Sequence, residues 1–300
     1  MNRRKRRRNP DCSPGAHQVI ENAQGCPLCG VTSSAAVLPD AGHLRRCVSC
    51  GVIYNSAFKP ARYDKQYFTH EYSKCYGRTY EQDRGNILAL SARRVDAIIR
   101  LGGFEGSLGG LRLLDIGSAM GFFLEAAKRR GVGAVEGIEI SSYAARYCQT
   151  KLGIPVVNSS FDDAAIKTAY DVITAWYFIE HCASPLKTAM KIHALLKPGG
   201  IWAFSTPSSF GPLYAFHRKE WASRHPGDHR VDFSPASVKG FLKRAGFSRV
   251  VVRAGGIHPE RVFPEGCFYS RSLGALYARI SGIVRFSDTM EVYARKDFLA

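Results

Sequence analysis

Between Leu111 and Arg130 the chain passes from an apolar run through a turn of small residues into a helical pattern: Leu113-Leu114-Asp115-Ile116-Gly117-Ser118-Ala119-Met120-Gly121-Phe122-Phe123. A buried strand that leads directly into a helix needs a crossover back to the next strand, and that geometry builds a parallel sheet covered by helices. The same alternation surrounds this unit. Apolar residues at helical spacing over 86–101 (Ile87, Leu88, Leu90, Val95, Ile98, Ile99) predict a helix. Strands are predicted at 111–116, 135–140, 155–158, 171–177 and 201–205, with helices at 122–130, 141–152 and 185–196 between them. Ser234 as N-cap and Pro235 at the first helical position open a further helix ending near Gly246. Two closing strands, 250–253 and 291–294, flank an insertion at 254–289. The fold class is therefore α/β and Rossmann-like.

The turn carries chemistry as well as topology. Small residues let the backbone bend sharply and let a ligand approach the main chain. Free amides at the start of the following helix favour an anionic group such as a carboxylate. Glu139 ends the next strand, 18 residues after Gly121, near the spacing of an acidic residue that accepts hydrogen bonds from ribose hydroxyls. A dinucleotide-binding turn is the competing reading. Laid on Gly117, that template puts Phe122 at its third glycine, where a large ring blocks the helix–strand contact.

The segments Leu113 to Gly121, Gly137-Ile138-Glu139-Ile140-Ser141, Tyr170 to His181 and Leu195-Leu196-Lys197-Pro198-Gly199-Gly200 occur in the order found in class I S-adenosylmethionine-dependent methyltransferases. The chain resembles the small-molecule O- and C-methyltransferases of the ubiquinone-biosynthesis type over about residues 82–253 plus the final strand. The resemblance implies a seven-stranded sheet with an antiparallel last strand, and S-adenosyl-L-methionine as cofactor. It implies that Asp115, Gly117, Ala119 and Gly121 shape the methionine side of the pocket, with Ala119 standing where the family usually has glycine. Glu139 would hold the ribose and Ile140 pack on the adenine. Ser160 and Phe161 fall at the adenine-edge positions, without the usual acidic residue, and Trp176 and Tyr177 would line the site after the fourth strand. For Trp176 a plain core role is the alternative.

Four of the nine cysteines form a second pattern. Cys26-Pro27-Leu28-Cys29-Gly30 and Cys47-Val48-Ser49-Cys50-Gly51 have the spacing of a tetrathiolate zinc site. Four thiolates saturate tetrahedral Zn2+, so a structural ion is expected. Cys12, Cys75, Cys148, Cys182 and Cys267 lack such spacing and are expected as ordinary thiols. The chain thus divides into a basic, disordered tail (1–24), a four-cysteine zinc-binding module (25–60), linker helices (61–85) and a methyltransferase domain (86–300).

Methyl transfer needs a base only where the acceptor must lose a proton. His181, after Glu180, and His229, within Asp228-His229-Arg230, are the candidates, each with a structural histidine as its alternative. Some small-RNA methyltransferases hold a metal with Glu-x-x-Glu-His here; Tyr177 stands at the first glutamate position, so no catalytic metal is expected.

The expected acceptor is a small molecule, a glycan or a lipid-linked molecule. Formal net charge is +17 and Arg3 to Arg8 form a basic run, so an RNA methyltransferase using the tail and zinc module is a second reading. A methyltransferase-like binding protein without activity is a third. Within the insertion, Leu273, Leu276, Tyr277 and Ile280 share a helical face, which suits peripheral membrane contact, a lid or a core-packing helix. No transmembrane segment is evident, the basic run lacks the apolar stretch of a signal peptide, and a cytoplasmic protein is expected.

Overall fold

The computed structural model describes residues 25–32, 35–38, 41–256 and 270–298. The basic tail with Cys12, and the middle of the insertion with Phe263, Cys267, Phe268 and Tyr269, lie outside them. The chain opens with three short strands, β1 (Ala35–Leu38), β2 (Ala41–Cys47) and β3 (Ile53–Asn55), then a π-helical turn (Tyr67–Glu71) running into α1 (Tyr72–Tyr76). From there it runs α2 (Arg84–Gly102), β4 (Arg112–Ile116), α3 (Phe122–Arg129), β5 (Ala134–Glu139), α4 (Ser142–Tyr147), β6 (Val156–Asn158), β7 (Tyr170–Trp176), α5 (Pro185–Leu195) and β8 (Leu196–Pro207). It continues through α6 (Pro212–Phe216), α7 (Arg218–Ser223), β9 (Val231–Asp232), α8 (Pro235–Arg244), β10 (Arg249–Gly256), α9 (Ser270–Val284) and β11 (Thr289–Arg295).

Seven strands make the main sheet in the order β10-β11-β8-β7-β4-β5-β6. The strands from β8 to β6 are parallel; β11 runs antiparallel between β8 and β10. The two closing strands expected around the insertion are therefore β10 and β11. Strands covered on both faces need apolar residues throughout, and β4 shows it: Leu113, Leu114 and Ile116 are all buried. Behind them Trp202 stacks on Phe204 with ring centroids 4.3 Å apart. Helix α8 starts as expected, with a reciprocal capping box between Ser234 and Ser237 and Pro235 in its first turn.

The second sheet, β1-β2-β3-β9, joins strands from two distant parts of the chain. Ile53 pairs with Asp232 and Tyr54 with Val231, so the cysteine module is completed by a strand from the loop before α8. Its Cys26, Cys47, Val52 and Tyr54 share one buried cluster with Leu114, Ile173 and Phe233. In α9, Leu276, Ile280 and Ile283 are exposed along one face. Among the described residues no helix is long and apolar enough to cross a membrane.

Candidate functional site

In an open parallel sheet, ligands bind beyond the strand C-termini where the connections diverge to either side. Here that point is the end of β4, flanked by β5 and β7. The turn after it holds Gly117 (φ 68°), Ala119 (φ 48°) and Gly121 (φ 82°) in left-handed conformations. A Cβ on Gly121 would lie 2.2 Å from the Cys148 sulfur, so this position admits no side chain at all. Ala119 carries the strain of a left-handed residue with a Cβ, and the neighbouring carboxylate steadies it. The Ala119 amide donates to Glu139 Oε2 (2.8 Å) and the Ser141 amide to Oε1 (2.7 Å).

Glu139, 5% exposed, thus sits between the two backbone segments that bound the crevice. Burial pushes its acid up, while those amides favour the charged form. Each oxygen keeps a lone pair for a ligand hydroxyl. Beside it Ile140 is 59% exposed, a flat apolar surface at the crevice edge. Asp115 is buried behind the turn, accepts the Thr174 hydroxyl (2.6 Å), and has its acid raised to about 7 by burial.

Other expected contacts are placed differently. Phe161 is 4% exposed, so its ring packs in the core and only its backbone remains for a ligand. Ser160 is engaged with Asp163, accepting from its amide and donating to its carboxylate. Lys191 Nζ closes that turn by donating to the carbonyls of Phe161, Asp162 and Ala164. The Trp176 ring lies against Phe123 (5.1 Å) and under the Arg94 guanidinium (4.1 Å); these are the surroundings of a packing residue. Tyr177 is left-handed and exposed.

Sequence reasoning did not anticipate the aromatic cover. Phe68, Met120, Phe122 and Ala144 form a buried cluster onto which Tyr67, Tyr80 and Tyr143 pack, and Tyr80 stacks on Phe122 (5.6 Å, 15°). The tyrosine-rich stretch at 63–80 was the available signal, but nothing local says which loop it covers.

The two candidate bases, 48 positions apart in sequence, come together: the His181 and His229 rings are 4.8 Å apart. Nδ1 of His181 lies 3.0 Å from the Asp228 carbonyl and 3.1 Å from its carboxylate, and Tyr63 donates to the same carboxylate (3.2 Å). Burial depresses the His181 imidazolium, but Asp228 and Glu180 more than offset it and hold its pKa above the ordinary value. Burial and the neighbouring His181 drive His229 down to about 3. Asp228, despite burial, is held down to about 2 by His181. Glu180 is fully buried, and the Thr206 hydroxyl beside it falls short of ideal hydrogen-bond geometry; burial lifts its acid to about 7, with His181 and Thr206 pulling it part of the way back. Glu180, His181 and His229 each place a ligand atom within 4.8 Å of the others, so three donors meet here without any contribution from Tyr177.

At the far side of the module, Cys26, Cys29, Cys47 and Cys50 bring four sulfurs within 4.8 Å of one another. Cys26–Cys50 and Cys29–Cys47 are 3.6 and 3.5 Å apart. Four thiolates each 2.3 Å from one tetrahedral ion would lie about 3.8 Å from one another, so the donor set fits zinc. None of the four is in a disulfide. Cys75, by contrast, expected as a thiol, is disulfide-bonded.

Residues 80–252, more than half of the chain, match the family described as "Methyltransferase domain". Ubiquinone biosynthesis O-methyltransferase of Ruegeria pomeroyi is 31% identical over 180 residues, covering 54% of this chain and 73% of that one. The enzyme of that name from Bordetella avium is 28% identical over 211 residues, 64% of this chain and 84% of the other. Two solved structures share the fold. An S-adenosylmethionine-dependent methyltransferase of Archaeoglobus fulgidus superposes with a TM-score of 0.50 at 18% identity, covering 75% of this chain and 98% of that one. One from Thermotoga maritima, described as a possible histamine N-methyltransferase, gives 0.50 at 16% identity, covering 73% and 94%.

Proposed function

The chain belongs to the methyltransferase-domain family, and from that premise we propose that it transfers a methyl group to an oxygen of a small-molecule acceptor. It is an S-adenosylmethionine-dependent methyltransferase. The observation that carries the site assignment is the Glu139 carboxylate stapled to the amides of Ala119 and Ser141. Relatives named ubiquinone biosynthesis O-methyltransferases support oxygen as the acceptor atom.

When bound, the cofactor supplies a methyl group activated by its sulfonium. Glu139 accepts hydrogen bonds from the ribose hydroxyls and Ile140 offers its exposed face to the adenine; the amides of Gly117, Ser118, Ala119 and Gly121 are spent within the turn, so the first-turn amides of α3 receive the methionine carboxylate. Tyr67 and Tyr80 roof the cofactor loop and exclude water. Holding acceptor and donor in line supplies the largest share of the rate, about 7–11 kcal/mol in well-oriented reactions. His181 takes the acceptor proton on Nε2, because Asp228 occupies its Nδ1 side and fixes the ring. His229, neutral throughout the working pH range, packs against it.

The zinc assignment rests on the sulfur spacing. One zinc per chain in metal analysis, lost in Cys47→Ser, is the expected result.

For the transfer itself, the purified protein is titrated with S-adenosylhomocysteine in a calorimeter and then given labelled cofactor with a panel of phenols and aliphatic alcohols. One site per chain, abolished by Glu139→Ala, and label in an ether-soluble product are expected. Heat-silent titration would overturn the assignment. The buried Glu180, with only the Thr206 hydroxyl beside its carboxylate, favours one second reading, in which Glu180, His181 and His229 would hold a divalent cation that would lower the acceptor's pKa. Activity that appears only on adding magnesium or manganese selects it over the free base.

A further inference from the structure

Strand β3 follows the second cysteine pair closely: Cys50 is three residues before Ile53, and the Cys47 amide donates to the Val52 carbonyl (2.9 Å). All three residues of β3 are buried. One edge of the strand pairs with β2, and the other is taken by β9. Just before β9 lies the loop bearing Asp228 and His229, and the module holds that loop at several points. The Asn55 amide donates to the Arg230 carbonyl (3.1 Å), and the Lys59 amide to the Gly227 carbonyl (3.0 Å). Asn55 Nδ2 also reaches the Gly227 carbonyl (3.3 Å). Arg230 returns a bond from Nη1 to the Asn55 carbonyl (2.8 Å), and from the linker just after the module Tyr63 donates to Asp228. From the other side the Arg230 amide donates to the Glu180 carbonyl (2.6 Å).

Beyond these bonds the loop is held by the buried His225–Asp232 pair (2.7 Å), by the His229 amide donating to the Pro226 carbonyl (3.2 Å) and by His181 on Asp228, and none of these ties it to the rest of the second sheet. Residues 225–230 form neither helix nor strand, and the two-residue β9 is too short to stand as a strand unless β3 pairs with it. The Glu139 crevice, by contrast, is assembled from β4, β5 and α3, and none of the bonds that shape it involves residues 25–60.

We propose that the four-cysteine module is a brace for the acceptor side of the active site, with Asn55 and Arg230 as positioning residues that set Asp228 and through it His181. Metal occupancy at the four thiolates then governs the order of the 225–232 loop and leaves cofactor binding intact. The inference rests on the reading of His181 as facing the acceptor. It differs from an ordinary structural role for zinc, which would loosen both sides alike.

The test uses the full chain, loaded with zinc or stripped by a chelator, and the zinc-loaded variants Arg230→Ala and Arg230→Lys. Amide exchange is followed by mass spectrometry at 225–232 and at 113–123, with S-adenosylhomocysteine affinity measured in parallel. Stripping is expected to speed exchange at 225–232 by about tenfold or more, with 113–123 and the affinity unchanged within about twofold. Arg230→Ala should loosen the same loop while keeping one zinc per chain, and Arg230→Lys, which keeps a donor for the Asn55 carbonyl, should restore part of the protection. An acceptor found by label transfer should show a raised KM in Arg230→Ala with the cofactor KM unchanged.

Equal loosening of both segments, or an unaltered 225–232 loop in protein shown to be zinc-free, overturns the proposal. Should the stripped chain precipitate, Arg230→Ala decides alone: normal protection of the loop refutes the brace. Failure of zinc-loaded wild type to bind S-adenosylhomocysteine would sink the methyltransferase assignment instead, and is read independently.

Discussion

Asp115 illustrates how much one buried group can set. Its carboxyl titrates at about 7 in the fold, against 3.8 for the free side chain, because burial outweighs the Thr174 hydrogen bond. The native state therefore binds more protons than the unfolded chain between those values, and stability falls as pH rises from about 4 to 7. Asp115→Asn keeps an oxygen for Thr174 and removes the buried charge. It should raise stability at pH 8 by roughly 2–4 kcal/mol, a gain that shrinks towards zero below pH 4, as urea titrations at the two pH values would show. Gly121→Ala should do the reverse: the added carbon meets the Cys148 sulfur at 2.2 Å in a left-handed backbone. Lower thermal stability and no calorimetric binding of S-adenosylhomocysteine are expected. The left-handed turn at Gly117 and Gly121 and the strand-end place of Glu139 were legible in the sequence, because each is a demand on local backbone. Asp228, Tyr63 and Tyr80 were not, since what they touch is set by segments scores of residues away.

Elements followed the same division. The strands of the main sheet and the Ser234 cap could be read from apolar runs and turn chemistry, with ends shifted by a few residues. Strand β8 begins earlier than expected, at Leu196, because an irregularity between Tyr170 and Val172 absorbs the Pro198–Gly200 turn. Helices α6 and α7 are five and six residues long, less than two turns, too short for a helical period to declare itself. Helix α2 was legible as a helix but its anchor was not. Arg94 Nε is 2.8 Å from Glu291 on β11, with both side chains largely buried, and its guanidinium covers Trp176. Removing one partner of a buried pair strands the other charge, at a cost of about 3–5 kcal/mol. Arg94→Met should lower the denaturant midpoint accordingly, and Arg94→Met/Glu291→Gln should recover much of the loss. A double variant no better than the single one would mean that the Trp176 contact, and not the ion pair, holds α2 in place.

At the scale of the molecule, the sequence announced two units, a cysteine module and an α/β domain, and the structure joins them through β3 and β9, a pairing between residues 53 and 232. No local signal specifies so distant a partner, and the β-propensity of two residues is uninformative. The join raises the question of whether metal and cofactor act on one cooperative body or on two. The cysteine cluster and the core under the cofactor loop share buried neighbours such as Leu114, which argues for one. Yet the cofactor contacts lie at the ends of β4 and β5, and the sulfur cluster packs near α5 and α8, where Arg244 reaches the Leu28 carbonyl. No hydrogen bond is common to the two sites, and on that ground their effects are expected to add. A ligand at a hundred times its dissociation constant stabilises the native state by about 2.7 kcal/mol, so S-adenosylhomocysteine should raise the thermal midpoint by roughly 4 °C in a chain of this size. Scanning calorimetry on four samples, with and without zinc and with and without S-adenosylhomocysteine, measures the coupling directly. Zinc removal should lower the midpoint while leaving the ligand-induced increment equal in both backgrounds; an increment that disappears in zinc-free protein would mean that the module reaches the cofactor crevice itself.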